Sequence, residues 1–563
     1  MEEKYILTLD VGTTTIRSYI YNSRAEVVGR ATDQVVLLYP CPGFVEIDPD
    51  ELWKSIVNVV NKSLQDAHLS AGQMTGMGIS TQRSTFMTWS RDTGRPFHKF
   101  ITWKDIRADK LVKQWNASYT WRLIRAGCYV LYLLLRNKRF QAGSVLKFMN
   151  TQTTMRLCWA IQNIEPLKAA IRNNNAVFGT MDTWLLHKLT GGKIHISDVS
   201  SASATGMFDP FTMQWAGWAV SLFRIPLGAL PAVVDTAGDH FADTLPDIWG
   251  CAIPIRCCMA DQTASMWGSC CFAAGDVKLT MGTGTFLDMN TGGAPHASVS
   301  GLYPVVAWRY RGELVYAAEG ANSDTATVVE WAQSLGLFVN PQETSEIAMS
   351  VPDSDGVYFI PAFSGLGPPY NDFEAASGFV GIKPSTTKAH LVRAVLESLA
   401  FRTAQLFECA RAEIAHRFHT VRLDGGVSNN DFVAQLVADL TGLRVERPAH
   451  TEMASLGCAY IVGLHLGIWK SKEELKALRQ IGTVFDPRPH AQKAYAAPLA
   501  RWGQAVGRLR GWYRAAIYSP KTIDKQSLCM SKPTFLAHKA RPKNKIPNAP
   551  DAKTLKINIP IMP

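Results

Sequence analysis

The chain alternates short apolar runs, which end in small polar residues, with longer segments whose apolar residues recur at helical spacing. The β-branched and aromatic run Tyr5 to Leu9 predicts a buried strand that ends at Asp10, and a tight turn of glycine and threonine follows at 12–15. Residues 277–287, VKLTMGTGTFL, repeat this pattern with a second Gly-Thr turn at 282–285. The two turns predict a duplicated architecture with one such hairpin in each half.

The longer periodic segments predict helices between the strands. Asp48-Pro49 is a capping signal ahead of a helix expected within 46–68, and residues 386–410 predict a long amphipathic helix. Residues 422–432 place a Gly-Gly pair between a strand and a helix, where a planar base could lie flat against the backbone. This alternation of strand, helix and turn signals predicts a mixed α/β fold.

Length and charge divide the chain into three parts. At 563 residues, 47% of them hydrophobic and 19% charged, it is too long for one core, and we expect two domains at 1–270 and 271–517. Residues 519–563 hold nine Lys or Arg, two Asp and seven prolines, so they supply +7 of the net charge of +11. We expect the tail, 518–563, to be disordered. The body is only mildly basic, and no nucleic-acid partner is expected.

The N-terminus and the cysteines point to a cytoplasmic protein. The opening MEEKYILTLD lacks the basic and apolar regions of a secretory signal. The eleven cysteines have no C-x-x-C spacing, and the pairs Cys257-Cys258 and Cys270-Cys271 stand in apolar runs. Buried thiols are therefore expected, in preference to disulfides or zinc ligands.

Residues 117–150 have an unusual composition. The apolar run at 126–135 has ten residues before a basic cluster and is too short to span a bilayer. It is either a buried helix with a basic end or an interfacial amphipathic segment. We expect the buried helix, and keep peripheral membrane contact through 117–150 as the alternative.

The first Gly-Thr turn has the chemistry of a phosphate site. Gly12 permits close approach of the backbone, the threonines supply hydroxyl donors, and Arg17 supplies a fixed positive charge. Asp10 could hold Mg²⁺ through water. Because Thr280 stands where the second half would need this aspartate, the metal is expected on the first half. An ordinary hairpin turn is the alternative.

Three polar signals at predicted strand ends indicate a second ligand region. Arg83 follows the strand expected at 74–81, and Trp103 follows another apolar run, so both could line a substrate pocket at the ligand crevice of the sheet. A surface arginine and a core tryptophan are the alternatives. Asp261 follows an apolar strand and precedes a helix start, so its carboxylate could accept the proton of a substrate hydroxyl that attacks phosphorus. A helix N-cap is the alternative there.

Eight motifs, in this order, resemble the FGGY carbohydrate kinase family, in its glycerol kinase branch. They are D-x-G-T-T at the start, QR at 82–83, FGTMDTWLLHKLTGG, ADQ at 260–262, LTMGTGTF, SGFVGIKPSTTKAHLVRAVLESLAF, LDGG and the ASLGCAY helix. The resemblance covers residue 4 to about 515. It implies two actin-like or hexokinase-like (ribonuclease H-like) domains with an interdomain active-site cleft that closes over ATP, Mg²⁺ and a polyol. The N-terminal domain would hold the polyol, phosphate and metal, and the C-terminal domain the nucleotide.

The resemblance also assigns roles to individual residues. It implies Asp261 as catalytic base and Asp10 as the residue linked to the metal. The implied polyol contacts are Arg83, Asp261 and Gln262, to which we add Ser84 and Trp103 as candidates. The implied ATP contacts are Thr13, Thr14, Thr15, Arg17, Thr283, Gly426 and Asn430, to which we add Gly282 and Ala326.

The chain departs from the family pattern at several of these positions. Ser84 stands where glycerol kinases typically have a glutamate that binds a substrate hydroxyl, and loss of that charge-assisted bond, worth ~1.5–3 kcal/mol, predicts weaker glycerol binding or a different polyol. Ala326 replaces a glycine near the nucleotide, and Glu330 replaces a glutamine. Two hypotheses follow: an ATP-dependent polyol kinase, with glycerol as the expected substrate, or a catalytically weak nucleotide-binding scaffold that retains the fold. The sequence leaves a homo-oligomer open.

Overall fold

A computed structural model describes residues 3–450 and 452–514. The first hairpin belongs to a five-stranded sheet, here called the N-terminal sheet, in which the first three strands are parallel and the last two antiparallel. In spatial order, its strands are Ile255–Ala260, Met74–Thr81, Tyr5–Val11, Thr15–Tyr21 and Val27–Gln34. The basic tail lies outside the described residues, so its predicted disorder stays a prediction.

A seven-stranded sheet, here called the C-terminal sheet, contains the second hairpin. In spatial order, its strands are Tyr303–Tyr310, Glu313–Asn322, Thr285–Gly292, Val277–Met281, Thr420–Asp424, Arg444–Pro448 and Ile481–Phe485. Around each hairpin the order is the same: an antiparallel third strand on one side and two parallel strands on the other. The two sheets thus repeat one topology, and the predicted α/β fold with a duplicated architecture is confirmed.

A third, five-stranded antiparallel sheet lies on the N-terminal side. Its strands are Leu37–Leu38, Glu46–Ile47, Phe100–Ile101, Phe86–Ser90 and Ala176–Thr180. Short strands form three two-stranded pairs, and they are Ile196–Asp198 with Ala232–Val234, Phe208–Asp209 with Gln214–Trp215, and Tyr358–Ile360 with Gly378–Val380.

Helices cover both main sheets. Those up to the second hairpin are Pro49–Asp66, Asp109–Ala117, Tyr119–Leu135, Lys138–Val145, Thr153–Asn163, Glu165–Arg172, Met181–Leu189, Val199–Ser203, Gly217–Leu222, Pro246–Trp249 and Asp261–Gly268. Those after it are Thr325–Ser334, Thr344–Met349, Lys388–Glu413, Asp431–Thr441, Met453–His465, Lys472–Leu478 and Ala491–Leu509. In the described part of the chain, no helix is both long and apolar enough to cross a membrane.

The two predicted long helices form, with one difference. Asp48 caps the first, Pro49–Asp66, by accepting from the backbone N–H groups of the first turn at 3.0 and 3.3 Å. The second, Lys388–Glu413, is buried on almost every side, so the prediction of an amphipathic helix is wrong. It tolerates burial of polar groups because they are paired: Arg393 Nε donates to Glu397 Oε1 at 2.9 Å.

The expected buried helix at 126–135 is also a wrong prediction. This run forms the C-terminal half of Tyr119–Leu135, in which Trp121 alone among the helix residues is buried. Leu134 is 74% exposed and Leu135 60%. The composition gave the helix its apolar character, but its main packing partner is the following helix, Lys138–Val145, where Gly143 admits the thiol of Cys128. At its N-terminal end, Trp121 packs on Phe148 and Trp218.

Predicted thiol burial is confirmed at both adjacent cysteine pairs, which are buried in the core. It is wrong for Cys251, which is exposed, and for Cys41, which is disulfide-bonded. Near the two buried pairs, helix Asp261–Gly268 packs on helix Met453–His465 with backbone against backbone. A Cβ atom on Gly268 would lie 2.1 Å from the Met453 carbonyl oxygen, and one on Gly457 would lie 1.8 Å from the Ala264 carbonyl oxygen. Two glycines therefore set the position of the helix that begins at Asp261.

Candidate active site

A cavity of about 2010 Å³ lies between the two Gly-Thr hairpins. All the residues predicted to bind ligands line it. They are Asp10, Thr13, Thr14, Thr15, Arg17, Arg83, Ser84, Trp103, Asp261, Gln262, Gly282, Thr283, Ala326, Gly426 and Asn430. The hairpins therefore converge on one space, and the side chain of Asp261 faces into it. The roles of these residues stay predictions.

The first hairpin places a buried carboxylate beside a cation. Asp10 is 5% exposed near the end of its strand, where its Oδ1 accepts from Ser80 Oγ at 2.8 Å. Arg17 stands opposite it in the strand register and lies 3.4 Å from Oδ2. Burial raises the pKa of Asp10, while Arg17 and Ser80 act in the lowering direction. A further positive charge at this carboxylate would offset its burial.

Two side chains from nearby segments hydrogen-bond to the first Gly-Thr turn. Gln82 Nε2 donates to the Gly12 carbonyl at 2.9 Å, and Trp103 Nε1 donates to Thr13 Oγ1 at 2.8 Å. The Trp103 ring also meets Phe286 of the C-terminal sheet edge to face, with centroids 6.4 Å apart. Trp103 is thus a half-buried wall of the cavity that touches both sheets, and the alternative of a core tryptophan is wrong.

The second hairpin is packed tightly against its own half. Gly282 N–H donates to the Gly284 carbonyl at 3.0 Å, and Ala326 N–H donates to the carbonyls of Gly282 and Thr283, both at 3.2 Å. Gly425 has φ +88°, and a Cβ there would lie 2.6 Å from the Met281 carbonyl oxygen. The added methyl of Ala326 therefore leaves the hairpin closed and well bonded.

The two residues predicted to contact adenosine differ in their accessibility to a ligand. A Cβ on Gly426 would meet no atom within 4 Å, so this backbone faces open space. The Asn430 side chain is already engaged as a helix cap: Oδ1 accepts from Val433 N–H at 3.0 Å, and Nδ2 donates to Thr344 Oγ1 at 2.9 Å. Gly426 offers a flat surface to a ligand, whereas Asn430 mainly holds the helix that follows.

Asp261 is the first residue of its helix and is half-buried at the cavity wall. Its Oδ1 accepts from the Gln262 N–H at 2.8 Å and lies 3.6 Å from Arg83 Nε. Burial raises its pKa to about 6; Arg83 opposes this shift, and the negative charge of Asp10 adds to it. Ala260 is the N-cap of this helix and no side chain caps it, so the alternative of a helix N-cap at Asp261 is wrong. The Asp261 carboxylate is poised to gain a proton near neutral pH.

Arg83 joins this carboxylate to the other half of the molecule. Its Nη1 lies 2.5 Å from Glu319 Oε2, and its guanidinium stacks over the Phe286 ring at 5.5 Å from the centroid. Burial acts to lower the pKa of Arg83, but Glu319, Asp261 and Asp288 raise it above its usual value. Arg83 is therefore a permanently charged side chain that is only 12% exposed, and the surface-arginine alternative is wrong.

Four residues of this site were not predicted from the sequence. Glu319 and Phe286 contact Arg83, and Glu452 Oε2 lies 3.2 Å from Arg17 Nε. Asp288 stands opposite Glu319 on the adjacent strand, and its pKa is raised by burial and by that neighbouring carboxylate. A carboxylate inside the apolar run LVYAAEGAN was the available signal for Glu319.

The hydroxyl proton of Ser84 is already used within the protein, so only the oxygen lone pairs remain for a ligand. Its Oγ donates to the Ala204 carbonyl at 2.9 Å, and its backbone, at φ +61°, is fixed by Arg156, whose Nη2 donates to the Ser84 carbonyl at 2.9 Å. Arg156 is fully buried and also bonds the carbonyls of Ile101 and Thr102. Burial lowers the pKa of Arg156 to about 9. The loop is rigid, and it presents little polarity to the cavity at Ser84.

The carboxylate oxygens at this site fit a magnesium ion that takes most of its ligands from water and phosphate. Asp10 and Asp261 are hard oxygen donors whose pKa values burial raises, so a cation between them would stabilise both ionised forms. Within residues 3–450 and 452–514, no group of three or more His, Cys, Asp or Glu side chains is placed to hold a metal alone. Mg²⁺ commonly takes one or two carboxylates and completes its shell with water and phosphate oxygens.

The pKa of Asp261 predicts a pH profile. If this carboxylate accepts a proton during the reaction, the protonated form is inactive, so kcat/KM should fall about tenfold per pH unit below pH 6 and level off above it. Initial rates between pH 5 and 8, with both substrates well below KM, measure the ionisation of the free protein. A profile that stays flat down to pH 5 would show that another group takes the proton.

Comparison with known proteins agrees with the geometry. Residues 5–268 match the N-terminal domain of the FGGY family of carbohydrate kinases, and residues 277–465 match the C-terminal domain. The chain is 50% identical to glycerol kinase 5 of Danio rerio over 516 residues, 91% of this chain and 97% of that protein. It is 47% identical to glycerol kinase 5 of Homo sapiens over 509 residues, 90% of this chain and 96% of that protein. The crystal structure of Plasmodium falciparum glycerol kinase with ADP superposes with a TM-score of 0.79 at 28% identity, covering 90% of this chain and 98% of that one.

Proposed function

This chain belongs to the FGGY family of carbohydrate kinases, and we propose that it transfers the γ-phosphoryl group of ATP to a hydroxyl of a polyol. Glycerol, which would give glycerol 3-phosphate, is the first candidate substrate, because relatives that align over almost the whole chain are named glycerol kinases. One observation carries the proposal. The carboxylate of Asp261 faces the cavity that both hairpins line, 3.6 Å from Arg83.

The nucleotide would lie between the hairpins. We assign its phosphates to the turn at 13–15, to Arg17 and to the second turn at 282–283, where backbone N–H groups and hydroxyls are the natural donors. Gly426 would support the adenosine, because a Cβ there would meet no atom of the described residues within 4 Å. Arg17 is paired with Asp10 and Glu452, so binding of the phosphates would recruit a cation that is already positioned. We also propose the boundary between the two domains near residue 270, with the tail beginning at 518.

The polyol would lie against Arg83, Trp103 and Gln262. Arg83 would donate to a substrate hydroxyl while Glu319 holds its guanidinium in place. Trp103 would cover one face of the carbon chain.

Asp10 would hold Mg²⁺ through water, and this ion, when bound, supplies positive charge to the nucleotide phosphates. The proton transfer depends on a protein side chain. Asp261 accepts the hydroxyl proton as the oxygen forms its bond to the γ-phosphorus, and the bond from that phosphorus to the β-phosphate oxygen breaks, releasing ADP. At neutral pH a pKa of about 6 leaves Asp261 ionised and able to accept this proton.

A polyol panel tests the proposed function. We expect ADP formation that depends on added polyol, with glycerol and other small polyols compared at equal concentration. ATP that binds without turnover on any polyol would reject the kinase assignment and favour the nucleotide-binding scaffold. The bonded hydroxyl of Ser84 is the feature that favours this second candidate, since it removes a polar contact from the polyol end.

We also propose peripheral membrane contact through helix Tyr119–Leu135, because apolar side chains cover its exposed surface and a basic run follows it. The full-length protein should float with anionic liposomes in a density gradient. Leu134→Glu, at a position 74% exposed, should reduce flotation severalfold. Leu227→Glu, at a leucine 56% exposed outside this helix, should leave it unchanged. Equal flotation of all three proteins would reject this helix as the contact.

A further inference from the structure

The cavity extends beyond the residues that we assign to its proposed ligands. Pockets for small molecules usually have volumes of about 300–1,000 Å³, and this one has about 2010 Å³. Residues of the segments 121–149 and 206–222 also line the cavity, and none of them is assigned to the nucleotide or the polyol. We call this part of the cavity the apolar chamber. The side chains of Ile124, Phe140, Leu146, Phe211, Trp218 and Tyr303 line it.

The chamber begins at the polyol end of the site. Ser84 bonds to Ala204, which lines the cavity just before the chamber wall at 206–222. Tyr303 stands opposite Glu319 in the strand register, and Glu319 is the ion-pair partner of Arg83. The Tyr303 hydroxyl contacts Met149 Sδ at 2.7 Å, which joins the C-terminal sheet to the end of the segment 121–149. A molecule held at Arg83 can therefore extend into the chamber.

The charged groups of the chamber are mostly engaged within the protein. Arg139 Nε donates to Asp209 Oδ2 at 2.8 Å, and Arg125 Nε donates to the Ser144 carbonyl at 2.8 Å. Lys147 also lines the cavity, and it is exposed to solvent. Ser84, at the entrance of the chamber, donates its hydroxyl proton to the Ala204 carbonyl. A surface of this kind favours hydrocarbon over a hydrated hydroxyl group.

We propose that the substrate is a polyol with a hydrocarbon chain, such as a 1-O-alkylglycerol, whose headgroup binds at Arg83 and whose chain fills the apolar chamber. This inference rests on the proposed kinase function and names its substrate class. The reaction is the phosphoryl transfer described above: the oxygen of a free headgroup hydroxyl bonds to the γ-phosphorus, its proton passes to Asp261, and ADP leaves. The ether bond to the chain is untouched.

A chain-length series tests the proposal. With the full-length protein, kcat/KM should be at least tenfold higher for 1-O-hexylglycerol than for glycerol, because each methylene that leaves water favours binding by up to about fourfold. Both compounds are used below the concentration at which the alkylglycerol forms micelles.

Two neighbouring residues give a matched pair of variants. Ile124→Gln puts an amide on the chamber wall and should reduce the hexyl advantage about fivefold or more, with kcat/KM for glycerol unchanged. Leu123→Gln changes a side chain that is 73% exposed and should leave both substrates unaffected.

The outcomes separate this inference from the proposed function. Turnover of glycerol with no gain along the series overturns the apolar-chain substrate and leaves the kinase in place. A gain that Ile124→Gln does not reduce shows that the chain binds elsewhere and overturns the chamber. No turnover with any polyol, alkylated or not, rejects the kinase function itself.

Discussion

Replacing Asp261 with asparagine should lower kcat for polyol phosphorylation by about 10³-fold, within the range that removal of a positioned general base produces. The amide keeps the size of the side chain and can still accept the Gln262 N–H, but it cannot take the proton of an attacking hydroxyl. The measurement is the initial rate of ADP formation at saturating ATP and polyol, at pH 7.5.

Binding and folding controls distinguish lost chemistry from lost structure. ATP affinity, measured by titration calorimetry, should change less than threefold, because our assignment places the phosphates on the hairpins. Asp247→Asn, at an exposed position away from the cavity, should keep full activity. If Asp261→Asn retained wild-type turnover, the assignment of this carboxylate as base would be wrong.

Replacing Gly457 with alanine should destabilise the fold and impair activity together. The added Cβ would lie 1.8 Å from the Ala264 carbonyl oxygen and 2.7 Å from the Gly268 nitrogen, and backbone atoms cannot move aside as a side chain can. Helix Asp261–Gly268 must therefore shift, and overpacking of this kind costs about 3 kcal/mol. Because Asp261 begins that helix, kcat should fall at least tenfold even in protein that remains folded.

Thermal unfolding followed by circular dichroism, combined with the rate assay at 20 °C, measures both effects. Gly507→Ala is the matched control, since a Cβ there meets no atom within 4 Å and the residue lies in a helix. It should unfold at the same or a higher temperature than the wild type. Equal melting temperatures for Gly457→Ala and Gly507→Ala would contradict the backbone contact between the two helices.

The sequence predicts those parts of the site that follow from local signals. Each Gly-Thr turn directly follows an apolar strand, so the two hairpins were accessible from periodicity, whereas the order of strands around them was not predicted. Asp261 was accessible because it stands between a strand and a helix start. The capped helix Pro49–Asp66 was predictable for the same reason.

The remaining features depend on contacts between distant segments. Glu319 forms an ion pair with Arg83, and Glu452 forms one with Arg17. Because the partners are far apart in sequence, no spacing along the chain predicts either pair. The Asn430 side chain caps a helix and bonds to Thr344, contacts that the sequence did not predict, and its assignment to adenosine stays a prediction. The apolar run at 126–135 predicted burial, but what covers a helix is decided by tertiary packing, and here most of that surface is open.

The most direct test of the central claim is a crystal structure of the protein with a non-hydrolysable ATP analogue, Mg²⁺ and glycerol. We predict a glycerol hydroxyl oxygen within about 3 Å of an Asp261 carboxylate oxygen, in line with the γ-phosphorus, and phosphate oxygens on both Gly-Thr hairpins. Glycerol bound away from Asp261, or a γ-phosphate that contacts neither hairpin, would contradict the account.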